Sequence, residues 1–385
     1  MVVTPVLAER PKIGLALSGG GAKGSAHIGV LEILEANNIP VDYIAGTSIG
    51  AYVGGLYALG YSAAEIREIM FGADLERGYS DSIDRDKLPY RQKLQRDKFN
   101  AGLEVGYRDG ELRIPWGVLY GQSMSAAYRR SAGNIPNFDS FDDLAIPFRA
   151  VATDLSDSSA AVIDRGDLLR AMKASATVPG ALVPVRIDDK LLVDGGMAEN
   201  LPVSQVRRMG ADIVIAVDIS SPLKDTDDIN NVISVLDQLS NFLTVQNIEE
   251  QKKALAPGDI YIRPDVDQLS TTDFSDMQKA YDAGKAAAAE NLAALEKLTV
   301  DSDTFQRYLD NKQQFADDLK RKGNLPIVEI ILPADAELEV IRAPGFFDDL
   351  DDQHPTLLTV FERRLNPLEC VQRVESIDGI QYLPG

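Results

Sequence analysis

The sequence predicts an α/β fold with a mainly parallel central sheet between helices, followed by a small C-terminal α+β unit. Three observations predict it. Short apolar runs end twice in glycine clusters that open helical patterns, first at Ile13-Gly14-Leu15-Ala16-Leu17 and again at Tyr43-Ile44-Ala45. That is the strand, turn and helix alternation of parallel strands joined by crossovers. The same alternation resumes from Pro147 to about Ile219, and beyond about residue 300 the pattern changes character altogether.

Taken in order, the strand at 13–17 runs into Gly19-Gly20-Gly21-Ala22-Lys23-Gly24 and then a helix carrying Val30 and Leu31. The strand at 43–45 runs into Gly46-Thr47-Ser48-Ile49-Gly50 and a helix that reaches Leu59, after which Ser62 caps a helix over 63–70. Between Gly72 and Gly133 the alternation stops: residues 84–98 are dense in charge, and 102–107 faces 111–115 across Arg108-Asp109-Gly110 as a hairpin. This insertion reads either as a lid or acyl-binding wall built from Trp116, Leu119 and Tyr120, or as a surface excursion. Helices are expected at 229–255 and 276–298, a polar connecting helix at 301–325, and a βααβ-like order over 326–385.

The chemistry sits at the two glycine turns. Gly46-Thr47-Ser48-Ile49-Gly50 is a G-x-S-x-G nucleophile elbow in its proper setting, a serine at a sharp strand-to-helix turn. Gly46 and Gly50 are needed there because strand and helix backbones leave no room for a β-carbon. The upstream loop can turn several backbone N–H groups toward one anion. Two anions compete for it. The loop also satisfies G-x-G-x-x-G, with Asp42 about twenty residues on as a dinucleotide site requires, yet Asp42 starts the next apolar run instead of ending it. The other reading is an oxyanion hole beside the serine. Lys23 reads as a solvated lysine at a helix start, with a cation beside phosphate or oxyanion as the alternative.

A serine nucleophile needs a base, and the chain has only two histidines. His27 lies within the first helix as a packed residue, and His354 lies in an acidic loop ending in Pro355. Carboxylates therefore become the candidates. Asp194, in Val193-Asp194-Gly195-Gly196, closes an apolar strand; alone, it would read as an Asp-Gly turn.

Gly-Gly-Gly-Ala-Lys-Gly, Gly-Thr-Ser-Ile-Gly and Asp-Gly-Gly, in this order, resemble the signature blocks of the patatin-like phospholipases. The likeness covers about residues 10–300 and includes Thr153-Asp154, the 174–180 run and the 211–219 run. The resemblance implies a three-layer α/β/α sandwich over residues 1–300 and a Ser-Asp dyad without a catalytic histidine. Ser48 would be the nucleophile, Asp194 its base, and Gly19, Gly20, Gly21, Ala22, Lys23 and Gly24 the oxyanion hole. Gly46, Gly50, Gly195 and Gly196 complete the elbow and dyad motifs. The implied activity is hydrolysis of carboxylic esters of phospholipids or related lipids, with no cofactor. A silent adaptor of the same fold is the third reading, against which intact Ser48 and Asp194 stand. The C-terminal order is similar to the POTRA module of some outer-membrane relatives.

Composition narrows the partners. With 385 residues, 45% of them hydrophobic, the chain can bury a large core. A net charge of −20 argues against nucleic acid and against electrostatic docking on an anionic membrane, so a lipid would be reached by apolar contact at a membrane periphery or as a monomer. The single cysteine, Cys370, excludes an internal disulfide, and Asp348-Asp349-Leu350-Asp351-Asp352 reads as a solvated acidic loop, not a metal site. No apolar run reaches the roughly 18 residues of a membrane span. The first ten residues lack the features of an export signal, so the sequence as written is expected in the cytoplasm or at a membrane, and in the periplasm if a leader was removed. A homodimer is one further expectation.

Overall fold

A computed structural model describes residues 10–72, 90, 93, 106–108, 111–113, 117, 119–223 and 232–323. The chain divides into two compact units, Met1–Leu319 and Lys320–Gly385. The expected C-terminal module, His354 and the acidic run at 348–352 lie outside the described residues, as do Trp116 and most of the 72–133 insertion.

The first unit is built on an eight-stranded mixed sheet. Its strands are β1 (Ile13–Leu17), β2 (Tyr43–Thr47), β5 (Phe148–Asp154), β6 (Ala160–Ile163), β7 (Val185–Ile187), β8 (Lys190–Asp194), β9 (Ile213–Val217) and β10 (Ile260–Ile262). A separate antiparallel hairpin, β3 (Gly106–Arg108) with β4 (Glu111–Arg113), matches the hairpin expected there. The order across the large sheet is β10-β9-β1-β2-β5-β8-β7, with β6 also on β5. From β10 to β5 the pairing is parallel, whereas β8 pairs antiparallel with both β5 and β7, and β6 pairs antiparallel with β5.

Alternation along the strands sorts the core into two layers, as a period-two pattern requires. Ile13, Leu15 and Leu17 of β1 and Ile215 and Val217 of β9 face one side, against α1 (Ser25–Ala36), α2 (Ile49–Ala58), α5 (Leu168–Ser175) and α9 (Met277–Glu290). Ala16, Ala45, Val214 and Ala216 face the other side, against α7 (Val203–Arg208) and α8 (Val232–Lys253). The remaining helices are α3 (Ala63–Gly72), α4 (Gln122–Ala132), the single turn α6 (Gly196–Glu199), α10 (Leu292–Leu295) and α11 (Ser302–Gly323). Ser62 does cap α3: its Oγ accepts from the Glu65 amide at 3.2 Å while Glu65 Oε2 accepts from the Ser62 amide at 2.8 Å, a reciprocal capping box.

The polar segment expected as a connector forms α11, and this helix contributes to the core through Phe305, Ala316 and Leu319. It also buries a charge. Lys312 lies 3.2 Å over the Tyr57 ring and 3.7 Å from Glu35, with no hydrogen-bond partner for its Nζ among the described residues. Burial lowers its pKa from 10.5 to about 7, with Glu35 opposing. The unfolded chain therefore holds this proton more tightly than the native one, and stability rises with pH between about 7 and 10.5. Lys312→Met is expected to raise stability by about 1–3 kcal/mol at pH 7. Urea melts of both proteins should show that gain shrinking toward pH 10.

Candidate active site

Strand register brings the sequence-distant residues into one row. Leu17 pairs with Gly46, Thr47 with Val151, and Ala152 with Asp194, so the residue after Thr47 and the residue opposite Ala152 stand level, one strand apart on either side of β5. Because β8 is antiparallel, its carboxyl end reaches this row from the opposite direction to β2. Its few residues are what allow Asp194 to stop there.

Ser48 caps α2 with φ 55° and ψ −124°, a left-handed backbone costing on the order of 1–3 kcal/mol for a residue with a β-carbon. Three contacts keep it there. Its amide donates to Ser175 Oγ at 2.8 Å, and that hydroxyl donates to the Val151 carbonyl at 2.5 Å. Thr47 Oγ1 donates to the Glu199 carbonyl at 2.8 Å. The flanking glycines are required by close approach: a β-carbon on Gly50 would lie 2.6 Å from the Ser18 carbonyl oxygen, and one on Gly46 would lie 2.6 Å from the Ala51 nitrogen.

Asp194 is anchored through its backbone before its side chain acts. Its amide donates to the Thr177 carbonyl and its carbonyl accepts from Thr153 Oγ1, both at 2.8 Å, while the Gly195 amide donates to the Ser175 carbonyl at 3.2 Å. Ser175 therefore ties the elbow and the Asp194 turn together. The carboxylate accepts from the Gly196 amide at 2.8 Å and is faced by the Ser48 hydroxyl. Burial raises its pKa from 3.8 to about 6, and the Ser48 hydroxyl and the Gly196 amide recover part of that cost.

Beside this pair stands the glycine loop. A β-carbon on Gly19 would lie 3.0 Å from Ser48 Cβ. The six loop residues differ in what their amides are free to do. Gly19 donates to Asn200, through the backbone carbonyl at 3.3 Å and Oδ1 at 3.2 Å; Ala22 donates to the Thr271 carbonyl at 2.8 Å; Lys23 donates to the Gly20 carbonyl at 3.4 Å. Gly24 closes the short helical turn Gly21–Gly24. Among the described residues, the amides of Gly20 and Gly21 have no acceptor, and neither do those of Ile49 and Gly50 at the start of α2. The donors available to an anion thus narrow from the whole loop to Gly20 and Gly21, joined by two amides the sequence reading missed. The motif itself carried that signal, since the residue after an elbow nucleophile supplies such a donor in other hydrolases.

Lys23 is not a solvated lysine: it is buried, its Nζ donates to Ser221 Oγ at 2.7 Å, and burial together with Arg263 lowers its pKa to about 8. His27 is a packed residue, with Nε2 donating to the Ser18 carbonyl at 2.8 Å and burial lowering its pKa to about 4, so it stays neutral beneath the loop. Asp42 sits at the opposite end of the sheet from the loop, where its carboxylate takes Arg10 at 2.6 and 2.8 Å and the Ile13 amide at 2.8 Å. A ribose held near Gly19 cannot reach it, which removes the dinucleotide reading. Of the suggested lid, Leu119 pairs with the 181–183 segment through its amide and carbonyl, and Tyr120 is exposed.

The chain is 29% identical over 312 residues to a lysophospholipase NTE1 of Kluyveromyces lactis, covering 74% of this chain and 19% of that protein. It is also 29% identical over 296 residues to a lysophospholipase NTE1 of Saccharomyces cerevisiae, covering 71% of this chain and 16% of that one. The chain thus spans less than a fifth of the length of these curated relatives. Among solved structures, VipD from Legionella pneumophila aligns with a TM-score of 0.38 at 14% identity, over 80% of this chain and 67% of that one. The model of the patatin-like phospholipases matches residues 15–207, a span that contains the glycine loop, Ser48 and Asp194, and the chain belongs to that family.

Proposed function

We propose that the chain is a lipid acyl hydrolase, cleaving carboxylic esters of lysophospholipids or phospholipids through Ser48 and Asp194. The observation that carries this reading is the Ser48 hydroxyl facing a buried carboxylate whose pKa burial has raised to about 6. A carboxylate near its ordinary pKa is a feeble base at neutral pH, and the shift brings it closer to the operating range. Asp194 takes the hydroxyl proton as Ser48 Oγ attacks the ester carbonyl carbon. The amides of Gly20 and Gly21, with those at the start of α2, stabilise the resulting oxyanion, each such donor contributing on the order of 3 kcal/mol. Collapse expels the alcohol, which takes the proton from Asp194, and leaves an acyl group on Ser48. Asp194 then deprotonates water, which attacks the acyl-enzyme and releases the fatty acid.

Lipid as the substrate class is supported by the names of the relatives and by the surface near the dyad. Phe242 and Leu243 on α8 are exposed beside Thr244, whose hydroxyl donates to the Gly196 carbonyl at 2.8 Å. Val178 is exposed beside Thr177, whose carbonyl holds the Asp194 amide. Apolar side chains on both flanks suit an acyl chain at a membrane periphery, which a chain of net charge −20 cannot approach through anionic headgroups.

The test is hydrolysis of a lysophosphatidylcholine and a short p-nitrophenyl ester. Ser48→Ala is expected to lower kcat at least about a thousandfold with the fold intact, and a fluorophosphonate should label Ser48 alone. An unchanged rate, or a label on another serine, rejects the assignment. In wild type, kcat/KM should fall as pH drops through about 6, when Asp194 takes up a proton. Asp194→Asn keeps the acceptor for Ser48 and Gly196 but removes the buried charge. The native carboxyl holds its proton more tightly than the unfolded one, so Asp194 costs stability as pH rises from about 4 to 6. The variant should therefore lose activity yet melt higher at pH 8, by on the order of 2 kcal/mol, with the difference vanishing below pH 4.

A further inference from the structure

Asn247 belongs to α8, beyond the residues 15–207 that match the family, and its side chain is buried among the turns that carry the dyad. Its Nδ2 donates to the Gly196 carbonyl at 2.8 Å, to the Met197 carbonyl at 3.3 Å and to the Leu243 carbonyl of its own helix at 2.9 Å. Its Oδ1 accepts from the Asn200 amide at 2.8 Å. Both ends of the side chain are thus committed.

The partners matter more than the number of bonds. Gly196 is the residue whose amide donates to the Asp194 carboxylate. The Asn200 side chain brackets Gly19, with Oδ1 accepting from its amide at 3.2 Å and Nδ2 donating to its carbonyl at 3.4 Å. Gly19 in turn abuts Ser48 and precedes the two amides that have no acceptor among the described residues. We infer that Asn247 is a positioning residue, holding the Asp194 turn and the donor loop in mutual register. This rests on the Ser48–Asp194 reading.

A bond of the same kind without those partners lies one turn further along α8. Gln251 Oε1 accepts from the Ser204 amide at 3.0 Å and ties α8 to α7. It is the control for a role limited to packing.

Steady-state hydrolysis of p-nitrophenyl butyrate from about pH 5 to 9, with thermal melting, would be measured on full-length wild type, Asn247→Leu, Asn247→Ser, Gln251→Leu and Ser48→Ala. Misplacement by about 1 Å can cost a hundredfold, so the Asn247 variants are expected to lose about 10–100-fold in kcat with KM within about twofold. Their acid limb should move to higher pH, because the Gly196 amide is held less well against Asp194. Gln251→Leu should melt lower with unchanged kcat and acid limb. Should Asn247→Leu fail to fold, the smaller and polar Asn247→Ser carries the same readouts. The inference is overturned if the Asn247 variants keep wild-type kcat and acid limb, or if Gln251→Leu loses kcat to the same degree. An inactive Ser48→Ala beside fully active Asn247 variants removes this inference alone, whereas an active Ser48→Ala removes the dyad and the inference together.

Discussion

A carboxylate withdrawn from water, with two donors left to satisfy it, is the constraint around which this molecule is arranged. Asp194 pays for its burial with a raised pKa, and the hydroxyl and amide that face it are the groups that make the cost bearable. Each of those donors sits on backbone that is itself awkward to hold. Ser48 needs a left-handed conformation, and the Gly196 amide needs a turn that reverses straight out of a strand. The surrounding hydrogen bonds from Ser175, Thr153, Thr177 and Asn247 compensate for that awkwardness, and they are nearly all between a side chain and a backbone group. Strain at the proposed reaction centre and rigidity around it are one phenomenon.

The sheet supplies that rigidity through its mixed topology. Parallel strands place two glycine turns side by side at their carboxyl ends, as an α/β fold does in general. A purely parallel sheet would bring its next strand to the same edge with another loop and helix. Here β8 arrives antiparallel and short, so that the residue ending it stands level with the serine that follows β2. Small residues on the opposite face, Ala16, Ala45 and Ala216, let α7 and α8 lie close, which is how α8 comes within reach of the Asp194 turn.

Much of this was legible in the chain. The two glycine turns, the elbow serine, the aspartate and the helical layers announce themselves through local rules of spacing and backbone freedom, and residues such as Gly50 offer no alternative. Lys23 was misread because nothing local distinguishes a lysine on a helix that faces solvent from one that is buried against a half-buried serine. Ala22 was counted among the donors because a glycine-rich loop advertises amides without saying which of them a distant carbonyl, that of Thr271, will occupy. Asn247 left no sequence signal, since a neutral amide in a long helical pattern acquires meaning only from what the fold sets opposite it. The polar aspect of α11 concealed the same kind of fact at Lys312, a cation held against the ring of Tyr57.

The order of these parts along the chain has a consequence for biosynthesis. A ribosome delivers the serine first, the aspartate 146 positions later and the asparagine another 53 positions after that. No nascent fragment that stops short of α8 carries the brace, and local propensity cannot substitute for it, because each partner is remote in sequence. Hydrolytic competence on this scheme waits for the synthesis of α8. On the proposed scheme, a nascent segment that already holds the serine and the aspartate still lacks the side chain that keeps their two turns in step.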